Sequence, residues 1–242
     1  MRGPILLCAA AMMGAAACTE GKAEQTGPDV SRSFPVSGFD KLEVSGPFDV
    51  QVSTGRQPSV TARGPSSIVE KMVVRVDGNT LKIEPEKRRG VLGGWNWRRG
   101  SGKVRVVVDV PMLTAAAIAG SGGVGVDRIA TGSFRGSIAG SGDLRLPQVE
   151  VGSLQLEIAG SGNASAAGRA GEARYEIAGA GNILAGRVAT QQTRAEIAGS
   201  GNIEADARTA ARVEIAGSGN VRVTGGAKCS IERAGSGNVQ CS

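Results

Sequence analysis

Two columns of charge recur in the C-terminal half of the sequence, and these side chains are the first to be asked for chemistry. Glu157, Glu176, Glu196, Glu214 and Glu232 form one evenly spaced series, and Arg135, Arg174, Arg194 and Arg212 mark the column two positions earlier. Two carboxylates can cleave a glycosidic bond when they face each other across one cleft, about 5 to 9.5 Å apart. These are spread evenly instead, each beside the arginine column, which is the pattern of a solvated face. The chain has no histidine, so the commonest general base and metal ligand is missing. The glycine-aspartate nonapeptide of calcium-binding solenoids is missing too. The expectation is therefore no catalytic residues, no metal site and no cofactor.

A second cluster lies in Glu86 to Lys103, EKRRGVLGGWNWRRGSGK, which holds both tryptophans, Trp95 and Trp97, among Arg88, Arg89, Arg98 and Arg99. Five glycines make it a loop or long hairpin. Tryptophan beside arginine on such a loop suits stacking on sugar rings or resting at a membrane interface, with the cations drawn to phosphates. The other reading is a solvated hairpin tip whose indoles cover an open end of the fold.

The elements that position the charge columns follow from a repeat. IAGSG or a close variant begins at Ile118, Ile138, Ile158, Ile177, Ile197 and Ile215, and the series ends as RAGSGN at Arg233. The step between starts is nearly constant at about 20 residues, too short for a helix pair and right for one coil of a β-solenoid. It shortens slightly after Ile197. Residues before the glycines alternate with period two, so the isoleucines and their even-numbered partners face a core while Arg-x-Glu faces water. After the turn the alternation resumes, with Val124, Leu144, Ile183, Ile203, Val221 and Val239 inward, and Val126 to Cys241 in a second inward column.

Gly-Ser-Gly is expected to admit positive φ on either side of the serine, giving a sharp corner. The residue after it is Asn163, Asn182, Asn202, Asn220 and Asn238, with Asp143 one coil earlier. Stacked at about 4.8 Å, these side chains can form a hydrogen-bonded structural ladder along the axis.

Upstream of the strict repeat the period-two pattern persists from Phe34 to about Pro85. Asp77-Gly78 between Val74/Val76 and Leu81/Ile83 marks a hairpin. Pro65 to Met72 suits one helical turn, and Val104 to Val110 a strand. Aromatic residues make up only 3% of the chain, which argues against a sandwich with large core side chains and suits a solenoid whose small inward residues bring its walls together.

Residues 1–17 read as an export signal: Arg2, an apolar run from Ile5 to Met13, then small residues, too short to span a membrane as a mature helix. Ala15-Ala16-Ala17-Cys18 resembles the lipobox of bacterial lipoproteins, with Ala15 where leucine is usual, so Cys18 is the expected lipidation site. Thr19 after it points, by resemblance to enterobacterial sorting, to the outer membrane. Cleavage by ordinary signal peptidase would instead leave a soluble periplasmic protein. Residues 18–33 are polar and read as a flexible tether, and 34–242 as a single domain: irregular coils over 34–111, carrying the loop 86–103, then regular repeats over 112–242. Removing 1–17 takes away Arg2 and leaves a modest excess of basic over acidic residues. That excess suits anionic lipid, lipopolysaccharide or anionic glycan rather than nucleic acid in an exported protein.

By column, Cys229 falls where Phe134 and Leu154 fall, and Cys241 where Val126 and Leu146 fall, so both point into the lumen of the last coil. In an oxidising compartment they are expected to form a disulfide closing that end. This requires the lumen to narrow from the usual ~10 Å to the ~7 Å that the bond tolerates.

FDKLEVSGPFDVQVSTG from Phe39, VDGNTLKIEP from Val76, VRVVVDVPMLTAAAIAGSG from Val104 and the repeated IAGSGN together resemble the putative auto-transporter adhesin head GIN domain family. The resemblance spans Phe39 to about Ser242. It implies a right-handed parallel β-helix displayed in the bacterial envelope, and brings no catalytic or binding residues with it. Two functions remain: a non-catalytic envelope protein, adhesin-like or a scaffold, binding a polymer or an envelope protein through a long regular face, or a carbohydrate-active β-helix enzyme, a lyase or hydrolase of polysaccharide.

Overall fold

The computed structural model describes residues 27–86 and 103–242. In chain order the elements are β1 (Asp29–Phe34), β2 (Lys41–Ser45), β3 (Asp49–Thr54), β4 (Ser59–Pro65), the single turn α1 (Ser66–Val69), β5 (Met72–Asp77), β6 (Thr80–Pro85), β7 (Arg105–Val110), β8 (Ala115–Gly120) and β9 (Gly123–Val126). The repeat region supplies β10 (Ile129–Gly140), β11 (Asp143–Gly160), β12 (Asn163–Gly179), β13 (Asn182–Ala189), β14 (Gln192–Gly199), β15 (Asn202–Asp206), β16 (Ala210–Gly217), β17 (Asn220–Thr224), β18 (Lys228–Ala234) and β19 (Asn238–Cys241). Stacked parallel coils make this an all-β solenoid.

One wall carries the isoleucines in strict register, Ile118 beside Ile138, Ile158, Ile177, Ile197 and Ile215, with Arg233 at the end. All six are buried, as period-two burial requires. The seven corners thus bound six full turns. A second wall carries the asparagines. A short third wall pairs 129–131 with 149–151, 149–151 with 168–170, and 167–169 with 187–189. It ends where the coils shorten, after the corner at Ile197. There the Thr190 and Thr193 hydroxyls lie 2.7 Å apart and within 2.6 and 2.8 Å of the Asp206 carbonyl oxygen, and the Thr190 amide donates to the Asp206 carboxylate at 3.2 Å. This buried knot bridges the gap that the lost strand leaves.

The lumen fills by exchange of volume between neighbouring coils. Leu156, Tyr175, Ala195 and Val213 share one column, and the bulk of Tyr175 is offset by small buried neighbours such as Ala164, Ala173 and Ala195. One coil before Leu156 the column holds Gly136, where a Cβ would meet Leu144 Cδ2 at 2.5 Å and Leu156 Cδ2 at 2.9 Å. Such interlocking leaves little tolerance for volume change.

The corner glycines serve two different needs. The first of each Gly-Ser-Gly has the expected positive φ, 126° at Gly140 and 134° at Gly160. The second does not, contrary to the expectation of positive φ on both sides. It is required by space: a Cβ on Gly162 would sit 2.4 Å from the Gly142 carbonyl oxygen and 2.7 Å from Ile138 Cγ2.

The N-terminal part departs from a simple progression of coils. β2 and β3 stack directly beneath β8 and β9, Val44 beside Ile118 and Val50 beside Val124. β6 and β7, which lie between them in sequence, stack on the other side of β2 and β3. β5 pairs with β6 as the expected hairpin around Gly78, and α1 is the expected helical turn. The end is closed by β4, antiparallel to β7, and by β1, antiparallel to β4. The tether expected over residues 18–33 does not extend through Ser33, because Asp29–Phe34 is a strand. Among the described residues the buried core lies between Phe34 and Val223, so residues 27–242 contain all of it.

Candidate functional site

On the outer face of the isoleucine wall the two charge columns become a network. Arg174, Arg194 and Arg212 each bind the glutamate of their own coil through Nε and that of the next coil through Nη2. Arg174 thus joins Glu176 and, at 3.3 Å, Glu196. Arg194 joins Glu196 and, at 3.1 Å, Glu214. Arg212 joins Glu214 at 2.6 Å and Glu232 at 2.9 Å. In the earlier coils Arg135 donates to Gln155 Oε1 at 3.0 and 2.7 Å, and Gln155 Nε2 donates to Glu157 at 2.5 Å. The hydrogen bond from Arg212 holds the Glu214 carboxyl below the usual carboxylate range. Glu196 and Glu214 are thus each held between two guanidinium groups. Beside them runs an open groove of about 750 Å³, with Ala139, Ala159, Ala178, Ala198 and Ala216 on its floor and the glutamates along one side.

The asparagine wall carries the second regular array. Asn182 Nδ2 donates to Asn163 Oδ1 at 2.9 Å, Asn202 to Asn182 at 2.8 Å and Asn220 to Asn202 at 2.9 Å. The run ends on a carboxylate, with Asn163 Nδ2 donating to Asp143 Oδ1 at 3.1 Å and Arg145 Nη2 to Asp143 Oδ2 at 3.2 Å. All the amide dipoles point their donor ends at that negative charge, so the sequence change from asparagine to aspartate sits where the electrostatics favour it. Asn238 lies next in register after Asn220. The array braces the corner from outside.

Cys229 and Cys241 are joined by a disulfide across the last coil, with Cα atoms 6.7 Å apart and both packed against the core. The remaining candidates, Cys18 and the cluster Arg88, Arg89, Trp95, Trp97, Arg98 and Arg99, lie outside the described residues. The knot of Thr190, Thr193 and Asp206 has no motif to announce it; its one trace in the sequence is the shorter step that begins at Ile197. Tyr175 holds a buried hydroxyl with no hydrogen-bond partner among the described residues, and burial pushes its phenol well above the usual value. Among the described residues no group of three or more Cys, Asp or Glu side chains is placed to hold a metal ion, and no helix is long and apolar enough to cross a membrane.

The family model described as "Putative auto-transporter adhesin, head GIN domain" matches residues 38–227. The chain belongs to this family. No curated protein matches it. Among solved structures it is similar to one called a putative adhesin from Bacteroides fragilis NCTC 9343, with 21% identity, TM-score 0.79, and 89% of this chain and 97% of that one covered. A second, called a putative lipid binding protein, from Parabacteroides distasonis ATCC 8503, has 22% identity, TM-score 0.72 and the same coverage of 89% and 97%. A third, called a putative adhesin from the same organism, has 19% identity, TM-score 0.67 and coverage of 89% and 98%. At these identities the likeness is one of fold.

Proposed function

We propose that this GIN-domain chain is an exported, lipid-anchored envelope protein that works by binding rather than by catalysis, offering the long side faces of its solenoid to a polymer or protein partner. The observation that carries the reading is the paired state of the glutamate column. From Glu196 to Glu214 each carboxylate is shared between two guanidinium groups, and Glu176 is held by Arg174, so the column is a rigid patterned surface and not a store of free acid and base. Groups fixed at about 4.8 Å intervals can meet a repeating partner many times over, so weak single contacts sum. The adhesin description of the family supports the same role. The anchor would be Cys18 after the cut that follows Ala17, with the outer membrane as destination.

The reading is tested by capture from a solubilised envelope fraction, comparing the intact chain with one lacking Val91 to Gly102, alongside incubation with a panel of anionic polysaccharides. The expectation is saturable capture of a defined glycan or protein, weakened by the deletion, and no new reducing ends or unsaturated products. Polysaccharide turnover that Glu196→Gln abolishes would overturn it in favour of a β-helix enzyme. Fractionation of Cys18→Ser tests the anchor separately: unchanged processing and membrane association would refute lipidation.

A further inference from the structure

The asparagine wall continues, strand by strand, to the far N-terminal end of the stack, and its character changes there. Following the outward row of the ladder from Asn163 through Asp143, Gly123 and Asp49, the next two positions are Arg105 on β7 and Arg63 on β4. Arg63 and Arg105 stand directly opposite each other on antiparallel strands, where Cβ atoms are about 5 Å apart and like charges repel. Lys103 is two residues before Arg105 and keeps its outward, exposed phase. The one carboxylate next to them in the row, Asp49, turns to Gln51 Nε2 at 3.5 Å. Asp29 lies at the edge of the same flank, two positions from Ser31, which faces Arg63. Among the described residues none of the three cations has an ion pair. On the isoleucine wall Arg135, Arg174, Arg194 and Arg212 each reach a glutamate, whereas this trio gathers three cations on one flank with no carboxylate bound to them among the described residues, an arrangement that favours an anion from outside.

Its place in the chain says which anion. Gly27 packs against Ser66, and Ser66 donates its amide to the Pro28 carbonyl at 3.0 Å, so the polypeptide from Cys18 arrives at this same end. Nine Cα-to-Cα steps lead from Cys18 to Gly27 and span at most roughly 32 Å. The asparagine wall runs from β1 to β19 in ten steps of about 4.8 Å, roughly 48 Å, so the tether cannot bring the opposite end to a lipid on Cys18 in place of this one. We infer that the flank formed by Arg63, Lys103 and Arg105 is a docking surface for the anionic headgroups of a phospholipid membrane, which seats the solenoid N-terminal end down on the bilayer. The chemistry is charge pairing of guanidinium and ammonium groups with phosphate, strongest for arginine because its planar fork meets two phosphate oxygens. It rests on the anchored-envelope reading only for where the membrane lies.

The test uses unlipidated residues 27–242, which contain all of the described core, so its outcome is independent of lipidation at Cys18. Co-sedimentation with vesicles of about 30% phosphatidylglycerol in phosphatidylcholine should show binding that weakens as salt rises from about 50 to 200 mM, and little binding to pure phosphatidylcholine. Arg63→Gln/Lys103→Gln/Arg105→Gln should lower the partition coefficient on the order of a hundredfold, since each cation near an anionic surface contributes about a factor of five. Arg63→Lys/Arg105→Lys should retain most of it, and Lys228→Gln, at the other end, all of it. Equal binding by the triple variant, equal binding to neutral vesicles, or arginine protection by inorganic phosphate without vesicle binding would each overturn the inference.

Discussion

Replacing Gly181 with alanine is the sharpest probe of how the coils are held together. Gly181 has no positive φ to lose, so the backbone accepts alanine and any cost comes from space. A Cβ there would lie 2.5 Å from the Gly162 carbonyl oxygen and 2.7 Å from Ile158 Cγ2, against an ordinary contact of 3.4 Å or more. Relieving the shorter contact moves the coils apart by about 0.9 Å and carries the Asn182 amide, now 3.1 Å from the Gly162 carbonyl oxygen, out of hydrogen-bonding range. One backbone bond and one ladder bond at about 1 kcal/mol each, with about 1–3 kcal/mol for overpacking, are offset by about 0.4–1 kcal/mol of lost unfolded-state entropy. The net is a destabilisation of about 2–4.6 kcal/mol. Gly132→Ala makes the same chemical change where a Cβ meets nothing within 4 Å, and should stabilise by about 0.4–1 kcal/mol. Urea unfolding of residues 27–242 at constant m-value measures both. If the two variants differ by less than about 1 kcal/mol, the account of the corner as a steric contact between coils is wrong.

Asn182→Ala removes a donor to Asn163 and an acceptor from Asn202 and should cost about 1–2 kcal/mol, with faster amide exchange at the corners around Gly162 and Gly181 and little change at Gly120. The Glu214 carboxyl is held below its unfolded value by Arg212, so its contribution is complete above the ordinary carboxylate range and disappears as pH falls through the lower folded value. Urea midpoints should therefore fall below about pH 4, and less so in Glu214→Gln. Tyr175, the one tyrosine of the chain, has its phenol raised by burial. Its stabilisation is present below the free-phenol value near 10 and is lost as pH rises towards the folded value, so phenolate absorbance should appear only together with unfolding. Reduction of Cys229–Cys241 should lower stability by about 2–4 kcal/mol, read as a shift of the urea midpoint with and without dithiothreitol.

The regular half of the fold is legible in the sequence because each coil repeats the same local pattern. Isoleucine at a fixed phase gives the inward column, and Arg-x-Glu at the opposite phase gives the outer network. The columns even place Cys229 and Cys241 in one lumen. What the pattern misses is non-local. Val44 beside Ile118 is a contact between distant parts of the chain, and nothing in LEVSG announces that it belongs to the IAGSG series with an intervening coil tucked beneath. β1 is hidden because DVSRSF buries only Phe34, leaving no apolar alternation to read. The different needs of the two corner glycines also escape a sequence view, since one residue type answers both backbone freedom and lack of room. Arg63 and Arg105 are far apart in the chain too, and antiparallel pairing alone makes them neighbours.

The placement of β2 and β3 between β6/β7 on one side and β8/β9 on the other gives the molecule two unlike ends. From β10 onward each coil touches only the one before and the one after, so removing or inserting a whole coil from one corner to the next changes the length of the rod and leaves its remaining joints intact. The opposite end has no such freedom. Residues 27–111 double back on themselves, and deleting any strand there unseats a coil that supports the rest. Length can therefore drift through duplication and loss at the C-terminal side, while the base remains fixed in form. A set of proteins built on this plan would differ in how far they reach rather than in how they begin.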